Sequence, residues 1–600
     1  MTESPPTPAQ GTSPAPSSAA RGSSPDFSTG APGHPALPSR THSTVFACPH
    51  RETESPGTEF PLTCHHVSTP VVDLLNQVAA RPEAPLLTWE EPDGTIATWS
   101  YRGFARRARA CAALLQAKGV AAGERVALVC RNSAQRQAWQ YGIWWLGAVE
   151  VSVNYDLAGD LLAAVLNDSE PSLIVLDAEF KAAVAGCYRR IDTARHLETL
   201  ADFPPEDAHC PRLPESPAAT RLDEIAHAVE ADALCSLIYT SGTTGPSKGV
   251  MLPAGYPTAN GHTIAHVAGL TSEDTGYFVL PFFHADFHVV FSAVILSGGS
   301  VAIRPKFSAN RFWSEVTRFG VTWTWTVGFL FSAIRSQGAD AATDTPLRRI
   351  IGAPIPDGTY EYFEDQLGID ILTLYGQTEA DGPLYDTPGR KRRGGIGWPS
   401  VGFEVQIHDE HGHELPPDTP GELVYRPKFP HMMMLGYWNR PEATASAWRD
   451  LWVRSGDRAS MDQEGFVFFH GRMSDSIRRR GENVSVYELE STLRKAPGVE
   501  ECAAVGVDDD FSGEQEIKVF VVPSGADDEH SHEFTVAAFQ NYCRDHVAPY
   551  ARPKFLQITD SKNIVRSPGT QVVQKHRLLR AVAEEEEATG VPATVYTIDV

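Results

Sequence analysis

Long apolar runs are missing from this 600-residue sequence. A membrane-spanning helix needs on the order of 20 consecutive apolar residues, and the best stretch, Trp144 to Val153, is short and carries Glu150. No membrane association is expected. Positive charge is also scarce: 51 Lys+Arg stand against 75 Asp+Glu, for a net charge of −24. Nucleic-acid binding needs clustered cations that displace counterions, so no nucleic-acid partner is expected, while a local basic pocket for a phosphorylated small molecule remains compatible with the balance. The nine cysteines are scattered and show no CxxC spacing, which fits reduced thiols better than disulfides or a zinc site. The one local cluster of metal-ligand types, Cys64-His65-His66, has no second ligand pair at zinc spacing. The N-terminus lacks the basic start and apolar stretch of a secretory signal. A cytoplasmic location is the expectation.

What is present is globular in texture, with 42% hydrophobic and 21% charged residues. At roughly 150 residues per domain the length leaves room for two to four domains. Residues 1–64 are rich in Pro, Ser, Gly, Ala and Thr and cannot bury enough apolar surface to offset the entropy of ordering, so they read as a disordered tail. Thr69 and Pro70 open a helix bearing Val71, Leu74, Leu75 and Val78 on one face, and Ser100 opens another with Phe104, Cys111, Leu114 and Leu115 in one stripe. Short β-rich runs (RVALVC, LIVLD, YFVLP, VAIRP, ILTLYG) then alternate with helical stretches, which indicates an α/β chain with mostly parallel sheets. From about Phe403 the pattern becomes strand-turn-strand, a smaller β-rich unit. A separate α+β segment follows Gly471, with a helix from Val486 and the strands CAAVGV and IKVFVVP. Glu584 to Glu587 begin an acidic end.

The chemistry-bearing feature is YTSGTTGPSKGV, Tyr239 to Val250, directly after the apolar run LCSLI. Three glycines let the backbone turn with its amides exposed, Thr240, Ser241, Thr243 and Thr244 add hydroxyl donors, and Lys248 adds a cation. Such a loop suits a polyphosphate. It lacks the GxxxxGK[ST] spacing of a Walker loop. A surface turn would show the same composition, but GAPIP (Gly352 to Pro356), YGQTE (Tyr375 to Glu379), RSGD (Arg454 to Asp457) and GRMSDSIRRRGENVSVYELE (from Gly471) follow in order.

Together these stretches resemble the adenylate-forming superfamily, which includes acyl-CoA synthetases, peptide-synthetase adenylation domains and luciferases. The resemblance runs from about Thr69 to Leu579. It implies a large N-terminal domain of parallel-sheet subdomains with a small β-rich subdomain (65–473), a small mobile α+β C-terminal domain (474–582) and an acidic tail (583–600). It further implies ATP and Mg²⁺ as cofactors, coenzyme A as an acceptor, and these roles: phosphate binding by Thr240, Ser241, Gly242, Thr243, Thr244, Gly245 and Lys248; adenine contacts from Gly352, Ala353, Pro354, Tyr375 and Gly376; α-phosphate contact from Thr378; Mg²⁺ on Glu379; and ribose contacts from Asp457 and Arg472. Ser474 takes the hinge position, where Asp or Lys is usual. The residue types agree, since an aromatic face packs a base, a hydroxyl bonds a phosphate and a carboxylate takes a hard cation.

The pattern breaks near the C-terminus, in NIVRSPGTQVVQKHRLL from Asn563. The family carries a lysine there that neutralises charge at the reacting phosphate; Gln571 or Val572 stands in its place, with Arg566 and Lys575 the nearest cations. Drift in a weak enzyme would explain the loss, and so would an acceptor that is no ordinary carboxylate. In PFFHADFH, Pro281 to His288, the resemblance makes His284 the gate of the acyl pocket, followed by Ala285 where amino-acid-activating members carry Asp. Asp286 and His288 either line that pocket or serve the helix. Trp323, Trp325, Phe329 and Phe331 supply aromatic bulk, mostly core, with Phe329 assigned to the pocket. The basic runs Arg390 to Arg393 and Arg478 to Arg480 either meet phosphates or pack against acidic neighbours, the second lying by resemblance beside the coenzyme A tunnel. The expected activity is ATP-dependent activation of a small carboxylate, aromatic or another that is not an amino acid, with transfer to coenzyme A or another nucleophile. Two alternatives are ATP-dependent activation of nitrite for diazotisation of an aromatic amine in secondary metabolism, as some relatives perform, and a nucleotide-binding pseudoenzyme. The oligomeric state is not legible.

Overall fold

The β-rich runs of the sequence become strands where helices separate them. RVALVC supplies Arg125–Val129, LIVLD supplies Leu173–Leu176, YFVLP supplies Thr275–Phe278, VAIRP supplies Ser300–Ile303 and ILTLYG supplies Asp370–Gln377. This computed structural model describes residues 67–597 except 158, 189–195, 200–216, 241–246, 343, 474–475, 480–481, 509–514, 525–533, 548, 567–572, 576–577 and 579–594. A nine-stranded sheet runs in the order Trp398–Pro399, Ala380–Tyr385, Asp370–Gln377, Arg349–Ala353, Trp323–Val327, Thr275–Phe278, Ser300–Ile303, Pro85–Glu90, Ile96–Ser100. A seven-stranded sheet runs Gly436–Tyr437, Lys248–Pro253, Leu234–Thr240, Val149–Ser152, Arg125–Val129, Leu173–Leu176, His196–Thr199. Both are parallel through the middle; the nine-stranded sheet ends in antiparallel pairs at both edges, and the seven-stranded sheet at the Gly436–Tyr437 edge alone, its other edge pair being parallel. Strands such as Leu173–Leu176 are buried throughout, as crossover helices on both faces require.

One continuous apolar core holds residues of both sheets together with helices Tyr101–Ala117, Ala134–Trp145, Tyr256–Ala268 and Ala285–Ser297. Two glycines set how closely those helices approach. A Cβ on Gly142 would stand 2.5 Å from the Cys111 Cβ and 2.9 Å from the Ala108 carbonyl oxygen, and one on Gly261 would stand 2.8 Å from the Ser292 Cβ. The Ser100 side chain caps Tyr101–Ala117 as expected, accepting from the Gly103 amide at 3.1 Å. Thr69 takes the cap position of Pro70–Ala80, but its side chain makes no capping bond. Leu114 departs from its expected stripe and is 42% exposed. The buried line runs Phe104, Ala108, Cys111, Leu115, and Leu114 lies off it because ten residues at 3.6 per turn do not return to the same face.

A buried charge sits among these elements. Glu150 of Val149–Ser152 meets the Arg136 guanidinium at 2.8 Å, accepts from Gln140 Nε2 at 2.6 Å and from the Ser152 hydroxyl at 2.7 Å, and lies 3.3 Å from His288 Nε2. Burial alone would raise the Glu150 carboxyl, but His288, Arg136 and the hydrogen bonds hold it below its usual value. Burial pushes His288 down to about 4, so its ring is neutral near pH 7 and Arg136 carries the opposing charge.

Residues from Phe403 to Arg472 form the third sheet, with Phe403–His408, Gly421–Pro427, Trp452–Met461 and Val467–Arg472 antiparallel. The C-terminal α+β part pairs Val499–Asp508 with Gln515–Pro523, adds Phe555–Ile558 in parallel, and buries Val486, Leu489 and Leu493 of the helix Val486–Leu493. Among the described residues no helix is long and apolar enough to cross a membrane.

Two outcomes follow from this packing. Gly142→Ala should destabilise the fold by about 1–3 kcal/mol, since overpacking forces backbone shifts; an unchanged melting temperature would show that the two helices can separate freely. His288 folds with a pKa below its unfolded value, so its contribution is present above about pH 6.5 and is lost as pH falls towards about 4. In thermal unfolding across that range, the advantage of wild type over His288→Gln should shrink with falling pH, and an advantage that grows would contradict the assignment.

Candidate active site

Two hairpins from different sheets carry most of the residues singled out by sequence. In the first, Leu234–Thr240 pairs antiparallel with Lys248–Pro253, which sets Thr240 opposite Lys248 and Tyr239 opposite Gly249. The connecting Ser241, Gly242, Thr243, Thr244 and Gly245 lie outside the described residues. Gly249 admits no side chain easily, because a Cβ would stand 3.0 Å from the Tyr239 ring and 3.3 Å from the Trp438 Cβ. The Tyr239 hydroxyl donates to Asp168 at 2.8 Å. Gly436–Tyr437 lies along the other side of the Lys248 strand, and Lys248 Nζ stands 5.1 Å from the Tyr437 ring centroid, within cation–π range.

In the second hairpin, Asp370–Gln377 turns into Ala380–Tyr385 through Thr378 and Glu379. The Tyr437 hydroxyl donates to Glu379 Oε1 at 2.7 Å, and the Met434 amide donates to the Glu379 carbonyl at 2.8 Å. Burial, then the Glu379 charge, holds the Tyr437 phenol well above its usual value, so it stays a donor. Lys248, Tyr437 and Glu379 thus form a chain of contacts joining the two sheets. The Tyr256 hydroxyl reaches the Thr378 carbonyl at 3.4 Å.

Beside this turn, Asp457 accepts from the Tyr375 hydroxyl at 2.6 Å and from Gln377 Nε2 at 3.1 Å, and faces Arg472 Nε at 3.4 Å. Gln377 also donates to the Ser455 carbonyl at 2.9 Å and accepts from Tyr425 at 2.9 Å. Asp457 and Arg472 are register partners on adjacent strands. Gly352, Ala353 and Pro354 end the strand next to Tyr375, with Gly352 opposite Thr373 and a cis bond before Pro354. A Cβ on Gly352 would stand 2.4 Å from the Thr326 carbonyl oxygen. Gly376 is exposed, and Thr378 and Glu379 are half-buried.

His284 occupies the N-cap position of Ala285–Ser297 without a capping bond. Its Nε2 is buried with no partner among the described residues, and burial lowers its pKa to about 4. Asp286 in the next turn is pushed up to about 6 by burial. Asp381, a residue the sequence reading passed over, is raised by burial and by the charge of Asp286. His288 is placed away from these groups: it is 1% exposed and belongs to the Glu150 network, with Trp144 edge-on at 5.4 Å. The pocket assignment of His288 is corrected accordingly, because one turn further along the helix leads into the core. Trp323, Trp325 and Phe331 are buried in the core, while Phe329 is 43% exposed.

Ser474, Gln571 and Val572 lie outside the described residues. The two cations expected nearest Gln571 and Val572 are engaged by acids of the C-terminal part, Arg566 by Glu501 and Lys575 by Glu490 at 3.2 Å. Within the second basic run Arg479 is buried against Glu516 at 2.6 Å, an acidic neighbour. In the first run Lys391 and Arg393 meet Glu364, Asp365 and Asp370, Arg392 meets Asp462, and Arg390 lies over Trp398 at 3.8 Å. These are the acidic neighbours that one reading of the run required.

Residues 74–438 match the family model described as AMP-binding enzyme, and residues 488–568 match that of the AMP-binding enzyme C-terminal domain. The chain belongs to the AMP-binding enzyme family. It is an adenylate-forming, acyl-CoA synthetase-like ligase by that membership. A crotonobetaine/carnitine–CoA ligase of Salmonella paratyphi C (strain RKS4594) is 28% identical over 505 residues, covering 82% of this chain and 95% of the relative. ATP-bound MatB from Rhodopseudomonas palustris superposes with TM-score 0.73 at 25% identity, over 87% of this chain and 100% of that one. The anthranilate CoA ligase AuaEII, solved with anthranoyl-AMP, superposes with TM-score 0.72 at 23% identity, over 88% and 99% of the two chains, and shows the shared fold.

Tyr437, Gln377 and Tyr425 bind the AMP-binding motifs together, yet none was singled out by sequence. Tyr437 falls in MMMLGYWNRP, whose apolar run signals packing rather than chemistry. Tyr437→Phe keeps the ring beside Lys248 and removes the hydrogen bond to Glu379. It should weaken Mg-ATP binding about tenfold, the scale of a hydrogen bond to a charged group; calorimetry showing unchanged affinity would mean that Glu379 needs no such partner.

Proposed function

We propose that the protein uses Mg-ATP to convert a small carboxylate to its adenylate, releasing pyrophosphate, and passes the acyl group to coenzyme A or another nucleophile. The observation that carries this reading is the convergence of Thr240–Lys248, Thr378–Glu379 and Asp457–Arg472 on one seam. Tyr375 and residues 352–354 flank the adenine, Asp457 and Arg472 hold the ribose, Thr378 bonds the α-phosphate, and Thr240, Lys248 and residues 241–245 hold the outer phosphates. A single half-buried carboxylate fits the hard cation Mg²⁺, and Glu379 would hold it. The ion when bound neutralises phosphate charge. The chain's own contribution is to orient: Tyr437 fixes the Glu379 carboxylate, and the Gln377 amide fixes Asp457. Relatives named for crotonobetaine, carnitine and anthranilate support a carboxylate substrate. In this reading Ser474 is the hinge between a body at 65–473 and a mobile domain at 474–582, flanked by tails at 1–64 and 583–600, and the enzyme works in the cytoplasm.

A second reading is favoured by Gln571 and Val572 standing where the family lysine belongs, with Arg566 and Lys575 already paired. There, ATP activates nitrite, which then diazotises an aromatic amine. Pyrophosphate release should be measured over a panel of aromatic and aliphatic carboxylates with and without coenzyme A, and with nitrite plus aromatic amines. Carboxylate-dependent release is the expected result. Release that requires nitrite and an amine selects the second reading, and ATP binding with no release under any condition leaves a pseudoenzyme. Val572→Lys or Gln571→Lys should raise carboxylate-dependent release by about tenfold or more, the scale of one electrostatic group at a transition state.

A further inference from the structure

Asp168 belongs to none of the motifs in the sequence, yet it reaches both flanks of the strand that begins at Lys248. It lies in the last turn of the helix Gly159–Ser169. The strand Lys248–Pro253 runs between Leu234–Thr240 and Gly436–Tyr437. On the first flank, Asp168 Oδ2 accepts from the Tyr239 hydroxyl at 2.8 Å. On the second, Asp168 Oδ1 faces Arg440 Nη2 at 3.2 Å, and the Asp168 carbonyl accepts from Trp438 Nε1 at 2.8 Å and Asn439 Nδ2 at 3.4 Å.

The bridge crosses at Gly249. A Cβ there would stand 3.0 Å from the Tyr239 ring and 3.3 Å from the Trp438 Cβ, so the bare backbone lets the two aromatic residues close over the strand. The Trp438 amide also donates to the Gly249 carbonyl at 2.8 Å. Each anchor is a chain neighbour of a residue in the nucleotide site: Tyr239 precedes Thr240, Gly249 follows Lys248, and Trp438 follows Tyr437. Hydrogen bonds to a carboxylate are short and directional. One carboxylate with a separate partner on each oxygen therefore fixes the distance between the two flanks.

We propose that Asp168 is a positioning residue for the triphosphate, holding Tyr239 and the segment Trp438–Arg440 across Gly249 so that Thr240, Lys248 and Tyr437 keep one spacing. This rests on the reading that Thr240 and Lys248 hold the outer phosphates. AMP lacks those phosphates and is held in that reading by Tyr375, Asp457 and Arg472, so the bridge acts on ATP and not on AMP.

Calorimetric titration of the full chain with Mg-ATP and, separately, with AMP tests this. Asp168→Ala should weaken Mg-ATP binding about tenfold, the scale of a hydrogen bond to a charged group, and change AMP affinity by about twofold or less. Asp168→Asn keeps an acceptor for Tyr239 and should recover part of the loss. Tyr239→Phe should weaken Mg-ATP in the same selective way, and adding it to Asp168→Ala should cost nothing further, since the two act through one bond. If Asp168→Ala does not fold, Tyr239→Phe and Asp168→Asn are read by the same comparison of ATP with AMP. Unchanged Mg-ATP affinity, an equal loss for AMP, or additive losses in the double variant overturns the proposal. Lys248→Gln separates it from the reading beneath: a variant that still binds Mg-ATP like wild type removes the phosphate assignment and the proposal together, whereas a weakened Lys248→Gln beside an unaffected Asp168→Ala removes the proposal alone.

Discussion

The hydrogen bond from Tyr437 to Glu379 is where the two large sheets are made to agree. Glu379 sits at the turn of a hairpin in the nine-stranded sheet, and Tyr437 sits on the edge strand of the seven-stranded one. A phenol and a carboxylate bond only at close range and in fixed directions. The contact therefore fixes how far one sheet edge stands from the other, and with it the separation between Lys248 and Glu379. Every later element of the site inherits that spacing: Thr378 is adjacent in the turn, Tyr375 and Gln377 are on the strand leading into it, and both reach Asp457 on the third sheet. Three sheets meet at one seam because short polar bonds, and not only apolar packing, cross it.

The seam also separates groups by task. On it lie donors and a cation suited to phosphates; near it lie Asp286 and Asp381, whose carboxyls burial pushes up towards the neutral form. The net charge of −24 says nothing of this, because the sum hides where each sign is placed.

Strand positions and most helix faces were legible in the sequence because β-branched runs and helical periodicity report on local geometry. The ordered motifs likewise singled out Lys248, Thr378, Glu379, Asp457 and Arg472 as candidates, since each stands in a distinctive string. What escaped was tertiary. Tyr437 and Gln377 act through partners 58 and 80 residues away, and nothing in their neighbours announces that. Leu114 and Leu115 look alike in composition and differ only in angle around the helix. His284 and His288 share one face by spacing, but the helix enters the core between them, so one ends at the N-cap with a buried Nε2 that has no partner among the described residues and the other on Glu150.

The Glu150 network bears on how this sequence can change over time. Arg136, Gln140, Glu150 and His288 come from three elements and meet at the Glu150 carboxylate where water does not reach. Losing one member strands a charge or a donor, which is heavily destabilising, whereas replacing the whole set by apolar groups of matching volume is nearly neutral. Single substitutions there are thus blocked while concerted ones are open. These four positions form one heritable unit, and descendants of this chain would be expected to keep all four or to have exchanged all four.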